Sequence, residues 1–189
     1  MNVRIDVSNI RLETERLILR PFEENDLNDF NTYAKVEGVG EMAGWPHHQS
    51  IEESKKILNI FMEEKKTFAL FHKETKKVIG SLGLEKYNEN YYKEYANQKG
   101  LELGYVLSKE YWGNGLMPEA VHRVIEFLFK EKNLDFVTCA HFIKNSQSRR
   151  VIEKNGFHFV CEGVFDGKIG KFEDRNYILR KEDYQNEKI

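Results

Sequence analysis

Lys109–Ala120 reads KEYWGNGLMPEA, a turn with two glycines set between a strand-like run and a long helical one. Upstream, LELGYVL at 101–107 has strand character. Downstream, Leu116 to Lys130 puts Ala120, Val121, Val124, Phe127 and Leu128 on one helical face. Gly113 and Gly115 permit positive φ and close backbone approach, and Pro118 suits the first turn of a helix. Such a connection aims several backbone N–H groups outward, where the helix N-terminus adds positive partial charge. The N–H groups of Asn114 to Met117 therefore suit a phosphate or pyrophosphate without a basic side chain. A glycine pair can equally make a tight connection and nothing more, so context decides. A Walker A loop needs Gly-Lys followed by Ser or Thr, and a dinucleotide fingerprint needs glycine where Pro118 stands; this turn offers neither.

Working outward, RLILRP (16–21) predicts a strand and NDLNDFNTYAKV (25–36) a helix with Leu27, Phe30, Tyr33 and Ala34 at helical spacing. Ser50 and Glu53 form a capping-box pattern that opens a second helix through Ile57, Leu58 and Phe61. TFALFH (67–72) and KVIGSLGLEKY (77–87) flank the polar KETK and predict a hairpin. After the long helix come a strand at 135–142, a short helix over SRRVIEK (148–154) ended by Asn155 and Gly156, and strands at 157–165 and 174–180. Hairpins on either side of a strand–helix–strand crossover imply a mixed sheet.

A chain of 189 residues suits one domain, with a core over about 12–182. With 29 Lys+Arg against 31 Asp+Glu, nothing attracts a nucleic-acid backbone. Cys139 and Cys161 are too few for a disulfide framework and form no CxxC pair for zinc, which fits a reducing cytoplasm. No segment reads as a signal peptide or as a run of roughly 20 apolar residues, so neither export nor a membrane is expected.

YWGNGLMPEA resembles the acetyl-CoA signature of GNAT N-acetyltransferases: Arg or Gln, two residues, Gly, one residue, then Gly or Ala. Trp112 stands at the Arg/Gln place and Met117 at the final small place. Both departures occur in the branch resembling ribosomal-protein N-terminal acetyltransferases, the RimJ/RimL-like group, and both leave the backbone cradle intact. NSQSRRVIEKNGF (145–157) resembles a second block of that branch, and TERLILRPFEENDL and DRNYILRKEDY extend the likeness over nearly the whole chain. The resemblance implies the GNAT acyl-CoA N-acyltransferase fold, an α/β (α+β) mixed central sheet of about six or seven strands flanked by helices. It also implies acetyl-CoA as acetyl donor.

By the same resemblance, Trp112, Gly113, Asn114, Gly115, Leu116 and Met117 form the pyrophosphate cradle. The backbone of Tyr105, Val106 and Leu107 meets the pantetheine arm where the strand splays from its neighbour. Asn145 falls at the position that hydrogen-bonds the pantetheine amide, although an Asn opening a helix is also an ordinary cap. Ser148 is placed to donate to the leaving sulfur, or else is a helix-surface hydroxyl. Arg149, Arg150 and Lys154 have no firm role, since a helical charge run is usually a solvated face. Trp45, His47 and His48 in GWPHHQS lie in the region that shapes the acceptor pocket of this branch. Two adjacent histidines are a weak metal set, so aromatic lining is expected and no metal.

The residues themselves nominate Glu102 as general base: a carboxylate among apolar strand neighbours is a candidate for a raised pKa. The competing outcome is a solvent-facing group or a structural ion pair. The expectation is a cytoplasmic enzyme, monomer or homodimer, that transfers acetyl directly to a primary amine within a ternary complex. The acceptor is either a protein N-terminus or a polyamine, amino sugar or amino acid. A non-catalytic acyl-CoA-binding module is the rival from another class.

Overall fold

In the computed structural model, which describes residues 1–186, the strand expected before the glycine turn is Gly100–Leu107 (β5), and the helix after it is Leu116–Lys130 (α3). Around them the chain runs β1 (Leu12–Glu13), β2 (Leu17–Pro21), α1 (Leu27–Ala34), α2 (Ile51–Glu64), β3 (Thr67–His72) and β4 (Lys77–Glu85). After α3 come β6 (Phe136–Phe142), α4 (Ser146–Lys154), β7 (His158–Gly167), β8 (Gly170–Arg180) and α5 (Lys181–Asn186). The eight strands form one sheet ordered β1-β2-β3-β4-β5-β6-β8-β7. Every ladder is antiparallel except β5–β6, the pair joined by the α3 crossover. The strand beyond the expected count is β1, whose two residues pair with Ile18 and Leu19 and are too few to show a period.

Alternation along β5 sorts its side chains between two layers. Leu101, Leu103 and Leu107 join the main core with Val121, Val124 and Phe127 of α3 and Val151 and Ile152 of α4, and Tyr105 packs against it. Val106 faces the other way, toward a cluster in which Phe30 and Tyr33 of α1 and Leu58 of α2 cover Ala69 and Val78. Beside it on that face, Tyr87 and Tyr92 from the loop after β4 cover Phe136 and Ile178. We call the α3/α4 side the back and the α1/α2 side the front.

The cap of α2 forms as expected at Ser50, whose Oγ accepts from the Glu53 N–H at 3.1 Å. The Glu53 carboxylate reaches one residue further back than the capping box requires, accepting from the Gln49 N–H at 2.8 Å. The final hairpin is longer than its sequence pattern predicts, with β7 and β8 paired out to Gly167 and Gly170. β7 is an edge strand exposed along much of both faces, so it carries no clean apolar period there.

Candidate active site

The glycine turn adopts the geometry that an anion cradle needs. Gly113 has φ 81° and Gly115 φ 76°, both in the left-handed region that favours glycine. The N–H groups of Gly113, Asn114, Gly115, Leu116 and Met117 donate to no acceptor among the described residues, and a side chain added at Gly113 would meet nothing within 4 Å. The Leu116 and Met117 side chains are buried in the core, so the cradle is made of backbone. Trp112 acts structurally: its indole Nε1 donates to the Leu107 carbonyl at 2.8 Å, folding the turn back onto the end of β5.

Arg16 was not singled out by its sequence context, a cation beside a short strand. Its Nη1 donates to the Asn114 carbonyl at 2.8 Å and its Nε to Glu119 at 2.7 Å, tying the rim of the turn to the first turn of α3.

Beyond the cradle the sheet opens. Paired positions of β5 and β6 end at Leu103 and Cys139, although the strands continue to Leu107 and Phe142. On its other edge β5 stays paired with β4 as far as Leu107 and Gly80. Beyond Leu103 the edge of β5 that would face β6 therefore opens on a slit with no strand across it. A cavity of about 970 Å³ runs along this slit, from Gly113 and Gly115 past Ser148 to Glu102 and Asp174.

Glu102 points to the front. It lies opposite Glu85 on β4 and Thr138 on β6, and the Thr138 hydroxyl donates to its Oε2 at 3.4 Å. Among the described residues it forms no ion pair. Burial, reinforced by the carboxylates of Asp174 and Glu85, raises its pKa to about 7 against the weaker opposing effect of Thr138. A carboxyl with that pKa can take up a proton near neutrality.

On the back, the Tyr105 hydroxyl sits 3.0 Å from Ser148 Oγ and 3.3 Å from the Ser148 carbonyl. Burial pushes Tyr105 well above the usual phenol range, so the phenol stays neutral and available as a donor. Cys139 beside it is pushed to about 12 by burial and donates to the Leu103 carbonyl at 3.3 Å, which makes it an inert thiol. Asn145 caps α4 through Oδ1, which accepts from the Ser148 N–H at 3.0 Å, and its Nδ2 donates to the Met42 carbonyl at 3.2 Å. Its amide is thus the cap, while the residue also lines the cavity. Of the α4 cations, Arg150 and Lys154 line the cavity, whereas Arg149 pairs with Glu153 on the helix surface at 2.7 Å.

The structure places Trp45, His47 and His48 away from the cavity. His48 is buried, with Nδ1 2.8 Å from Ser54 Oγ and its ring edge-on to Phe30. His47 pairs with Glu41 at 2.8 Å, and Trp45 packs over Gly40 and His48. Their segment instead contributes Val39, Met42 and Ala43 to the lining. The apolar pattern of GWPHHQS marked a packed segment near the pocket, and the pocket wall is the turn just before it. Among the described residues no group of three His, Cys, Asp or Glu is arranged to hold a metal.

The family described as "Acetyltransferase (GNAT) domain" matches residues 16–158, most of the chain, including the cradle and both strands that border the slit. The chain belongs to the GNAT family. It is similar to the uncharacterized N-acetyltransferase YoaA of Bacillus subtilis, 27% identical over 158 residues that cover 81% of this chain and 84% of that protein. Its fold matches the GNAT-family acetyltransferase from Bacillus anthracis with TM-score 0.77 at 22% identity, covering 92% of this chain and 99% of that one. It also matches the ribosomal-protein-S5-alanine acetyltransferase from Vibrio fischeri, with TM-score 0.71 at 20% identity over 93% and 99%. As a GNAT acetyltransferase the protein uses acetyl-CoA as donor, and the free N–H groups at Gly113–Met117 fit the diphosphate of that cosubstrate. Among the described residues no helix is long and apolar enough to cross a membrane.

Proposed function

We propose that this GNAT enzyme transfers acetyl directly to a primary amine within a ternary complex, with Glu102 as general base and Ser148 as proton donor to the leaving sulfur. The observation that carries this reading is the slit itself. It joins the anion cradle at one end to an unpaired carboxyl of pKa about 7 at the other, with the Ser148 hydroxyl between them on the back. Acetyl-CoA supplies the thioester. The chain's part is to hold it in the cradle, to aim unpaired β5 backbone groups at the slit, and to move two protons.

Glu102 takes the first proton that the acceptor ammonium must lose, and the nitrogen sheds its second as the amide forms. Ser148 Oγ, held by Tyr105, gives a proton on the opposite side. When the neutral phenol gives its hydrogen to Ser148 Oγ rather than to the Ser148 carbonyl, the serine's own hydrogen is free to turn into the slit. The reading is tested by following thiol release from acetyl-CoA with and without a panel of primary amines and unblocked peptides. Release that depends on an amine, with the acetylated amine identified by mass, supports transfer. Amine-independent binding without release would make the protein an acyl-CoA-binding module instead.

A further inference from the structure

Past Glu102, the front wall of the cavity holds a second carboxylate that transfer itself does not require. Asp174 lies on β8 opposite Phe142 of β6 and Gly163 of β7. It is 94% buried, and it lines the same cavity as Glu102. Its Oδ1 accepts from Asn176 Nδ2 at 2.9 Å, and among the described residues no Lys or Arg forms an ion pair with it. Glu85, the third carboxylate here, is already matched by Lys66 at 2.6 Å, and the neighbouring Arg175 is turned to Glu162 at 3.1 Å. A buried carboxylate without a countercharge is costly unless a ligand supplies one.

The walls around Asp174 suit a cation. Tyr91 and Asp174 converge on Gly163, each with an oxygen 2.7 Å from where a side-chain carbon would start. Phe142 and Phe165, with ring centroids 5.3 Å apart, line the cavity beside them. On the far side the pocket is bounded. Phe165 at the hairpin tip covers Gly44 so closely that no side chain fits there, and Asn145 is tied to Met42.

We propose that the acceptor is a compact amine bearing a second positive charge, its reactive nitrogen at Glu102 and its second ammonium against Asp174 between Tyr91, Phe142 and Phe165. This rests on the transfer reading above. The reactive nitrogen forms the bond to the acetyl carbon as the carbon–sulfur bond breaks. Its ammonium first gives one proton to Glu102, and the nitrogen sheds a second as the amide forms. The thiolate takes one from Ser148, that second proton restores the Ser148 hydroxyl through solvent in the open cavity, and the distal ammonium is unchanged. Burial holds the Asp174 carboxyl above its usual range, against the weaker opposing effects of the Asn176 hydrogen bond and of His141.

The test compares diaminobutane with butylamine, equal in carbon chain, and with an uncharged tripeptide carrying a free N-terminus. Calorimetry on the CoA-bound protein reads binding, and product mass reads transfer. Diaminobutane should bind about 10-fold or more tightly than butylamine, as expected for a desolvated charge pair. Asp174→Asn, which keeps the shape and the Asn176 contact, should bring diaminobutane down to the level of butylamine. Equal binding of the two amines to the unaltered protein, or tighter binding of the tripeptide, overturns the proposal without recourse to any variant. An equal loss for both amines in Asp174→Asn also overturns it. Preference for diaminobutane with no acetylated product from any amine would overturn the transfer reading and leave the Asp174 site standing. Product without preference would do the reverse.

Discussion

The hydroxyls of Tyr105 and Ser148 lie 3.0 Å apart, linking β5 to the first turn of α4 across the back of the slit. Ser148→Ala should lower kcat roughly 10–100-fold with little change in acetyl-CoA affinity, and Tyr105→Phe should lower it less. Because the two act through one hydrogen bond, the double variant should cost less than the product of the single effects. Multiplicative losses in a steady-state double-mutant cycle would separate Tyr105 from proton donation.

Glu102→Gln keeps the shape and removes the proposed base. Turnover should fall roughly 10²–10³-fold while acetyl-CoA affinity holds. In the unaltered enzyme kcat/KM should climb through a limb near pH 7, since Glu102 must be ionised to accept a proton and its pKa is about 7. The variant should lack that limb and gain rate only as the amine itself deprotonates. Retention of the limb in Glu102→Gln would assign it to another group.

The same carboxyl carries a stability signature. Its folded pKa of about 7 lies above the unfolded value, so the folded state holds that proton more tightly. The cost of ionising it is absent below about pH 4, grows as pH rises toward 7 and is fully expressed above that. Glu102→Gln should therefore be more stable than the unaltered protein by about 3 kcal/mol at about pH 8, and equal to it at about pH 4. Denaturant melts at the two pH values decide this; a variant destabilised at both would make Glu102 a packing residue.

Saturating acetyl-CoA should stabilise the fold by about 2.7 kcal/mol at roughly a hundred times its dissociation constant, whereas NADH should not. A thermal midpoint that moves with the dinucleotide alone would refute the cradle assignment.

Gly115→Glu should abolish acetyl-CoA binding. It forces a side chain into φ 76° and puts a negative charge beside the free N–H groups, with the nearest Arg16 nitrogen 3.6 Å from the new Cβ. Titration of the folded variant checks it, and unaltered affinity would move the diphosphate elsewhere.

What was legible in the sequence is what local chemistry determines. The glycine turn, the Leu116–Lys130 helix, the Ser50 cap and the KETK hairpin all rest on residues whose preferences act within a few positions. Glu102 was legible for the same reason, as a charge in an apolar strand. Asp174, Arg16 and the Val39–Ala43 wall were not, because their roles depend on groups far along the chain: Asp174 and Tyr91 come together only around Gly163, and Arg16 meets Glu119. His47 and His48 misled because an aromatic-rich segment reads alike whether it lines a pocket or packs behind one.

Glu102 and Tyr105 are three positions apart on one strand, an odd step, so the pleat sends them through opposite sides of the sheet. Under the proposed transfer, the acceptor and the departing thiol are served from the two faces of the sheet within one cavity, across the gap beyond Leu103 and Cys139. Neither reactant blocks the door of the other, and no acetylated side chain is needed to carry the group across. Kinetic patterns should be sequential, with both substrates required before either product leaves.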